Sequence, residues 1–287
     1  MNVASDVDQL IDQPPRVQSL RRVLDGVLDG ITPLVDATRP YVDGTEQLPR
    51  DGRVLLVGNH TQTGMAEVWL TSLVVRRTIG TRVRTLAVRD LGNAPGFAAD
   101  FTAAYGGVVG SPDNARELMQ HGETVLVFPG GGREIQKFKG EEYHLNWEGR
   151  SGFARVAIAN GYPIVPVGNV GGDDIFHSLT TRDSALGKLS LAVSEKITGR
   201  PDMFLPVVRG LGPTLLPSPQ RLYLRFGAPI GTTAPEGVGA DEWTATVKER
   251  TQTALEAVLS DLLKIRADDP YRGLNPLAWH RATRPSS

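Results

Sequence analysis

Five short apolar runs, Val54–Val57, Val83–Val88, Thr124–Phe128, Ile164–Val167 and Leu222–Phe226, have the length and composition of buried strands. Between them, apolar residues recur at helical spacing around 66–77, 112–121, 150–160 and 241–266. The second of these stretches carries its own start signal, with Ser111 as N-cap, Pro112 at the first helical position and Asp113 in the first turn. It stops at His121-Gly122. Strands alternating with helices predict an α/β fold with a mainly parallel central sheet and helices on both faces. In such sheets chemistry sits in loops beyond the carboxyl ends of strands, which directs attention to the loops after Val57 and after Phe128.

The amino-terminal part follows another pattern. Residues 1–15 are polar and end in Pro14-Pro15, a loose leader. From Val17 to Val35 the positions Leu20, Val23, Leu24, Val27, Leu28 and Ile31 trace an amphipathic helix, weakened by Gly26, Gly30 and Pro33. Its polar side mixes Arg21 and Arg22 with Asp25, Asp29 and Asp36, which favours packing on its own domain over lying on anionic lipid. The expected organisation is a leader and helical segment over 1–43 and one α/β domain over 44–287.

Composition narrows the function classes. The 287 residues are ample for a sizeable core, and 31 basic against 32 acidic residues give no reason to expect nucleic acid as a partner. The absence of cysteine excludes disulfides, thiolate metal sites and a cysteine-bound intermediate. The start lacks a signal-peptide pattern, and no apolar stretch reaches the roughly 18 residues that span a bilayer. The expectation is a cytoplasmic protein resting peripherally on the inner face of the membrane. A composition rich in Ala, Gly, Val and Arg is associated with GC-rich bacterial genomes.

The first loop reads Gly58-Asn59-His60-Thr61-Gln62-Thr63-Gly64-Met65-Ala66-Glu67. A histidine directly after a buried strand sits where a general base is useful, since its unperturbed pKa lies near neutrality. A strand-end histidine also serves structure, and the loop alone does not decide between the two roles. His121 ends a helix and suits its dipole; His144, His177 and His280 have no comparable setting. The second loop reads Phe128-Pro129-Gly130-Gly131-Gly132-Arg133-Glu134. Its glycines permit positive φ and close approach of a ligand, its free N–H groups suit a phosphate or an oxyanion, and Arg133 adds a positive fork. A tight strand-to-helix turn is the alternative reading. It is neither a P-loop nor a dinucleotide fingerprint, and G-x-S-x-G is missing.

Together the two loops resemble the lysophospholipid acyltransferase superfamily, whose blocks include N-H-x-x-x-x-D and F-P-E-G-T-R. The resemblance is closer to the branch of type-2 diacylglycerol acyltransferases, plant phytyl ester synthases and transmembrane protein 68. That branch carries F-P-G-G-x-x-E, matched by Phe128 through Glu134. Lys139-Gly140-Glu141-Glu142-Tyr143, Ile164-Val165-Pro166-Val167, Pro217-Ser218-Pro219, Phe226-Gly227-Ala228-Pro229-Ile230 and Asp269-Pro270-Tyr271-Arg272 follow in the order of the same branch.

The resemblance implies direct acyl transfer from acyl-CoA to a hydroxyl, with His60 as general base and no cofactor or metal. It implies substrate contacts from Asn59, Phe128, Pro129, Gly130, Gly131, Gly132, Arg133 and Glu134. The superfamily's histidine is oriented by an acid, but the position five after His60 is Met65. Glu67, seven residues on, is the nearest substitute; a solvated first-turn acid is its alternative role. Relatives that use lysophosphatidate carry a cation before the glycine loop, whereas Gly106-Gly107-Val108-Val109-Gly110-Ser111 has none. A neutral acceptor, diacylglycerol or a long-chain alcohol, is therefore expected. Lysophosphatidate acyl transfer and a non-catalytic lipid-binding role are the alternatives. Two long chains require an apolar groove, for which Trp69, Leu70, Leu73 and Val74 are the sequence's candidates, although the same residues suit ordinary core.

Overall fold

A parallel strand is covered on both faces and must be apolar at consecutive positions, and the middle of the chain places such strands side by side. A computed structural model of the protein describes residues 11, 13–62, 64–87, 97–135, 137–198 and 207–285. Its first elements are α1 (Pro15–Thr38), β1 (Tyr41–Asp43), β2 (Leu55–Gly58), α2 (Ala66–Ile79) and β3 (Val83–Ala87). Next come α3 (Phe97–Ala104), β4 (Gly107–Val109), α4 (Pro112–Gln120), β5 (Thr124–Val127) and the single turn α5 (Gly132–Ile135). Then follow α6 (Gly152–Ala159), β6 (Ile164–Val170), β7 (His177–Ser178) and α7 (Ala185–Thr198). The last are β8 (Val208–Arg209), β9 (Tyr223–Phe226) and α8 (Ala240–Asp268).

Seven strands form one sheet in the order β1-β9-β6-β2-β5-β3-β4, parallel at every neighbouring pair except β6–β9. At its centre Leu56 pairs with Leu126 and Val165, and none of the three is exposed. One face carries Leu55, Val57 and Val125 under Leu118 of α4, Ala154 of α6 and Val258 of α8. The other carries Leu56, Leu126 and Val165 under Val68, Leu70 and Val75 of α2. This is the α/β architecture expected from the alternation of runs. Ser111 caps α4 by accepting a hydrogen bond from the Asn114 N–H.

Differences lie at short elements. Tyr41–Asp43 pairs with Tyr223–Arg225, so the sheet begins inside the segment assigned to the leader. Strands of three residues, β1 and β4, are too short to leave a periodic signature, and β4 lies hidden in the Gly106–Ser111 block. The expected leader at 1–10 and the end of the Val83–Val88 run lie outside the described residues. In α1 the acidic residues face α2, with Asp25 and Asp29 on Arg76 and Asp36 on Arg77. Val23, Val27 and Leu34 are left exposed.

The carboxyl-terminal segment is fastened by one buried cation. The Arg221 guanidinium donates to Asp269 Oδ2 at 2.7 Å and to the carbonyls of Arg39 and Thr283. It lies within 6 Å of the rings of Tyr41, Tyr223 and Tyr271. The Asp269-Pro270-Tyr271-Arg272 motif thus ties α8 to β9 and β1. Arg221→Met leaves the Asp269 carboxylate buried without its cation and should cost about 3–5 kcal/mol. Urea unfolding measures it; a loss below about 1 kcal/mol would show the latch to be dispensable.

Candidate active site

Because β2 and β5 are parallel neighbours with Val57 opposite Val127, the loops that leave their carboxyl ends run side by side. The first strand ends at Gly58, where a side chain would collide with Phe128, since an added Cβ would sit 2.9 Å from Cε1. Asn59 is buried and spends its amide on β6, exchanging bonds of 2.9 and 2.8 Å with the backbone of Asn169. It anchors the loop, and it is not among the residues that line the cavity.

His60 follows, with its side chain 12% exposed and its ring stacked on Phe128 at a centroid distance of 4.0 Å. Its Nδ1 lies 2.8 Å from Oε1 of Glu67. The loop folds back so that the first turn of α2 stands over the histidine, which is how an acid seven residues away reaches it. Glu67 is fully buried and also accepts from the Thr61 N–H at 2.9 Å and the Thr61 hydroxyl at 2.6 Å. Burial alone would raise its pKa; the bonds from His60 and Thr61 and the charge of His60 outweigh it and hold the carboxyl below its ordinary value. Glu67 is therefore ionised, and the pattern assigns the Nδ1 proton to the side facing it. Met65 is exposed at the cavity rim and has no part in this pairing.

The glycine loop holds the histidine from below. Glu134 returns from α5 and accepts from the His60 N–H at 3.1 Å and the Asn146 N–H at 2.8 Å. A Cβ at Gly130 would meet Glu134 Cδ at 2.1 Å, so the glycine is needed to admit the carboxylate. Burial pushes the Glu134 carboxyl up, with its two N–H donors opposing. Lys137, also buried, donates to the His60 carbonyl at 2.9 Å and to Asp173 at 2.7 Å. Asp173 in turn accepts from the backbone of Gln62 and Tyr143, and burial raises its pKa. Lys137 is thus committed to a closed pair. Arg133 pairs with Glu148 and is not among the residues that line the cavity.

In front of His60 opens a cavity of about 790 Å³. Leu86, Val127, Phe101 and Tyr105 line one part, Ala115, Met119, Phe153 and Val156 another. Phe128, Pro129 and Gly131 of the glycine loop contribute to its wall, while Gly132 opens α5. Trp69, Leu70, Leu73 and Val74 do not line it: Leu70 and Val74 are core beneath α2, and Trp69 and Leu73 border a separate small pocket beside α1. The groove uses the opposite face of the sheet, with only Met65 and Val68 reaching over from the start of α2. Among its described lining residues the single Lys or Arg is Arg150, which donates to the carbonyls of Pro129 and Gly130 at 3.0 and 2.9 Å. Sequence reasoning missed Arg150, because nothing in its spacing from the loop marks it as a neighbour.

The family described as Acyltransferase matches residues 39–170. Phytyl ester synthases 1 and 2, chloroplastic, of Arabidopsis thaliana are 30% and 33% identical to this chain over 91% and 90% of its length. A human protein, "DGAT1/2-independent enzyme synthesizing storage lipids", is 28% identical over 44% of the chain. The chain spans only 40%, 39% and 38% of these relatives' own lengths.

The Glu67 shift has a measurable consequence. Its folded pKa lies below its unfolded one, so the stability it contributes is complete above the unfolded value and is lost as the pH falls through the lowered folded value. Glu67→Gln should therefore unfold more easily than wild type at neutral pH, with the gap closing on the acid side of the carboxylate range. Urea midpoints of both proteins across that range measure this. A gap independent of pH would rule out an ionised Glu67.

Proposed function

This chain belongs to the acyltransferase superfamily, and on that premise we propose that it moves a fatty acyl group from acyl-CoA to a hydroxyl of a neutral lipid, diacylglycerol or a long-chain alcohol. The observation that carries this reading is the His60–Glu67 pair at the rim of a cavity whose described lining residues include no carboxylate and one Lys or Arg. With Nδ1 bound to Glu67, Nε2 is the basic nitrogen that takes the proton of the acceptor hydroxyl as its oxygen attacks the thioester carbonyl. The tetrahedral intermediate collapses, the C–S bond breaks, and the proton held on His60 goes to the departing thiolate. Glu67 stays ionised through the cycle and stabilises the imidazolium. No residue need become acylated.

The cavity accounts for the tails. It is lined from His60 down to Leu55 and Met119, and the four residues of β2 alone span roughly 13 Å, so a chain lying along the strand is covered over that length. Each methylene withdrawn from water contributes about 0.8 kcal/mol. Arg150 stands at the glycine loop, where the polar end of the donor arrives, and takes the role expected of Arg133. The Gly107–Ser111 wall brings no cation, which supports a neutral acceptor. The kinship to phytyl ester synthases favours the same class. Arg150 is also the one observation that favours the lysophosphatidate reading, since it would meet an acceptor phosphate. An intact dyad with Glu67 in place of an acid at Met65 weighs against a purely lipid-binding role.

Purified protein given palmitoyl-CoA with diacylglycerol, a long-chain alcohol or lysophosphatidate separates these readings. His60→Ala should lower turnover by about 10²–10⁴-fold while the protein stays folded. Arg150→Gln should raise KM for acyl-CoA with little change in that for a neutral acceptor. Wild-type turnover in His60→Ala would end the mechanism, and a preference for lysophosphatidate that vanishes with Arg150 would reassign the acceptor.

A further inference from the structure

Between β6 and β9 the chain leaves the sheet for an excursion that holds β7, α7 and β8. Its root is fixed beside the candidate catalytic loop: Gln62 donates to the Ser178 hydroxyl at 2.8 Å, and the Lys139 N–H donates to the Thr180 carbonyl at 3.0 Å. Beyond the root the excursion turns apolar side chains outward. On α7, Leu186, Leu189 and Val193 are 60%, 58% and 47% exposed, and their spacing puts them on one face. The buried side of α7 is slight, with Gly187 closing against the Thr181 carbonyl, where an added Cβ would sit at 2.2 Å. The helix is not packed along its length on any other described element. Fourteen residues in that situation are marginal as an isolated helix in water. A tight turn in the same excursion, closed by the Leu211 N–H on the Leu216 carbonyl at 2.7 Å, exposes Leu211, Leu215 and Leu216 as well.

The described charges around this apolar surface are mainly basic. Among the described side chains of the excursion, Lys188, Lys196 and Arg209 are exposed against Asp183, while Arg182 is paired with Glu141. Lys196 lies about 60° round the helix from Val193, where a long side chain reaches past the aliphatic stripe to a headgroup. We propose that this excursion is the surface by which the protein docks on a lipid surface bearing anionic headgroups. The α7 stripe enters the interface, the lysines meet the headgroups, and the catalytic loop is brought next to the lipid. The choice of lipid as occupant draws on the acyl-transfer reading, but its test needs neither donor nor acceptor turnover.

Sedimentation of the full chain with vesicles of phosphatidylcholine, alone or mixed with phosphatidylglycerol, tests the surface without any acyl-CoA present. Wild type should bind both and prefer the anionic vesicles. Leu186→Glu/Leu189→Glu should lose at least about tenfold in binding to either, with an unchanged melting temperature and unchanged turnover on detergent-dispersed substrate. Leu215→Ser/Leu216→Ser gives an independent reading on the second element. Lys188→Gln/Lys196→Gln should erase the preference for anionic vesicles only. The proposal is overturned if wild type binds neither vesicle or if the glutamate variant binds like wild type. It is equally overturned if lipid-free wild type sediments as a dimer that the glutamate variant breaks, because the face then belongs to a second copy. Failure of acyl transfer with vesicle binding intact would strike the proposed function and leave the docking surface standing.

Discussion

A carboxylate buried beside an apolar cavity is stable only if donors replace the water it has lost, and the loop after β2 is organised around meeting that demand for Glu67. Three donors converge on it, from Thr61 backbone, Thr61 hydroxyl and the His60 ring. Supplying them fixes the loop's path. With Thr61 pinned, the His60 ring can only lie between Glu67 and Phe128, and the Gln62 N–H is delivered to Asp173. Asp173 then requires Lys137, and Lys137 closes the circuit on the His60 carbonyl. Each buried charge is satisfied by a group that another buried charge has positioned, so the pocket floor behaves as one unit.

That unit needs the sheet. Parallel pairing of β2 with β5 and β6 sends three loops out of the same end at adjacent positions; the β2 and β5 loops line the cavity, and the β6 loop supplies Asp173 to Lys137 and Gln62. Asn59 is bound to β6, His60 lies on the β5 loop's Phe128, and Glu134 spans from the β5 loop to the His60 N–H. Gly58, Gly130 and Gly172 are places where the chain gives up a Cβ so that these loops can close on one another, Gly172 against the Thr61 side chain.

The strands were legible in the sequence because burial on both faces leaves continuous apolar runs, and His60 was legible because it follows one directly. Glu67 was visible as a candidate but not decidable, since spacing along the chain does not show how a glycine-containing loop folds back on a helix. Asn59 and Glu134 were marked as substrate contacts, whereas the bonds the structure shows for them run to backbone N–H and C=O groups, which carry no sequence signature. The cavity runs past Met119 and Phe153 and not past Trp69, Leu70, Leu73 and Val74, because α4 and α6 cover the face of the sheet opposite α2. Arg150 reaches the glycine loop from the turn before α6, a neighbour that spacing along the chain does not reveal. The three-residue strands and α7 were missed because they are too short, or too weakly packed, to imprint a period.

Two carboxylates hold His60, and their environments separate their roles. Glu67 takes the ring and a hydroxyl, and these donors outweigh burial and hold its carboxyl below the ordinary value. Glu134 takes two backbone N–H groups, burial prevails, and its pKa rises. Each Glu134 oxygen accepts one backbone N–H, and both bonds favour the anion, so they oppose the rise that burial imposes. The two carboxylates therefore differ in which influence prevails, donors at Glu67 and burial at Glu134. With Lys137 and Asp173 paired, Arg150 is the one Lys or Arg among the described residues that line the cavity. Positive charge along the described lining is thus confined to the glycine-loop end beside His60, while Leu55, Met119, Phe153 and Val156 give the wall its apolar character.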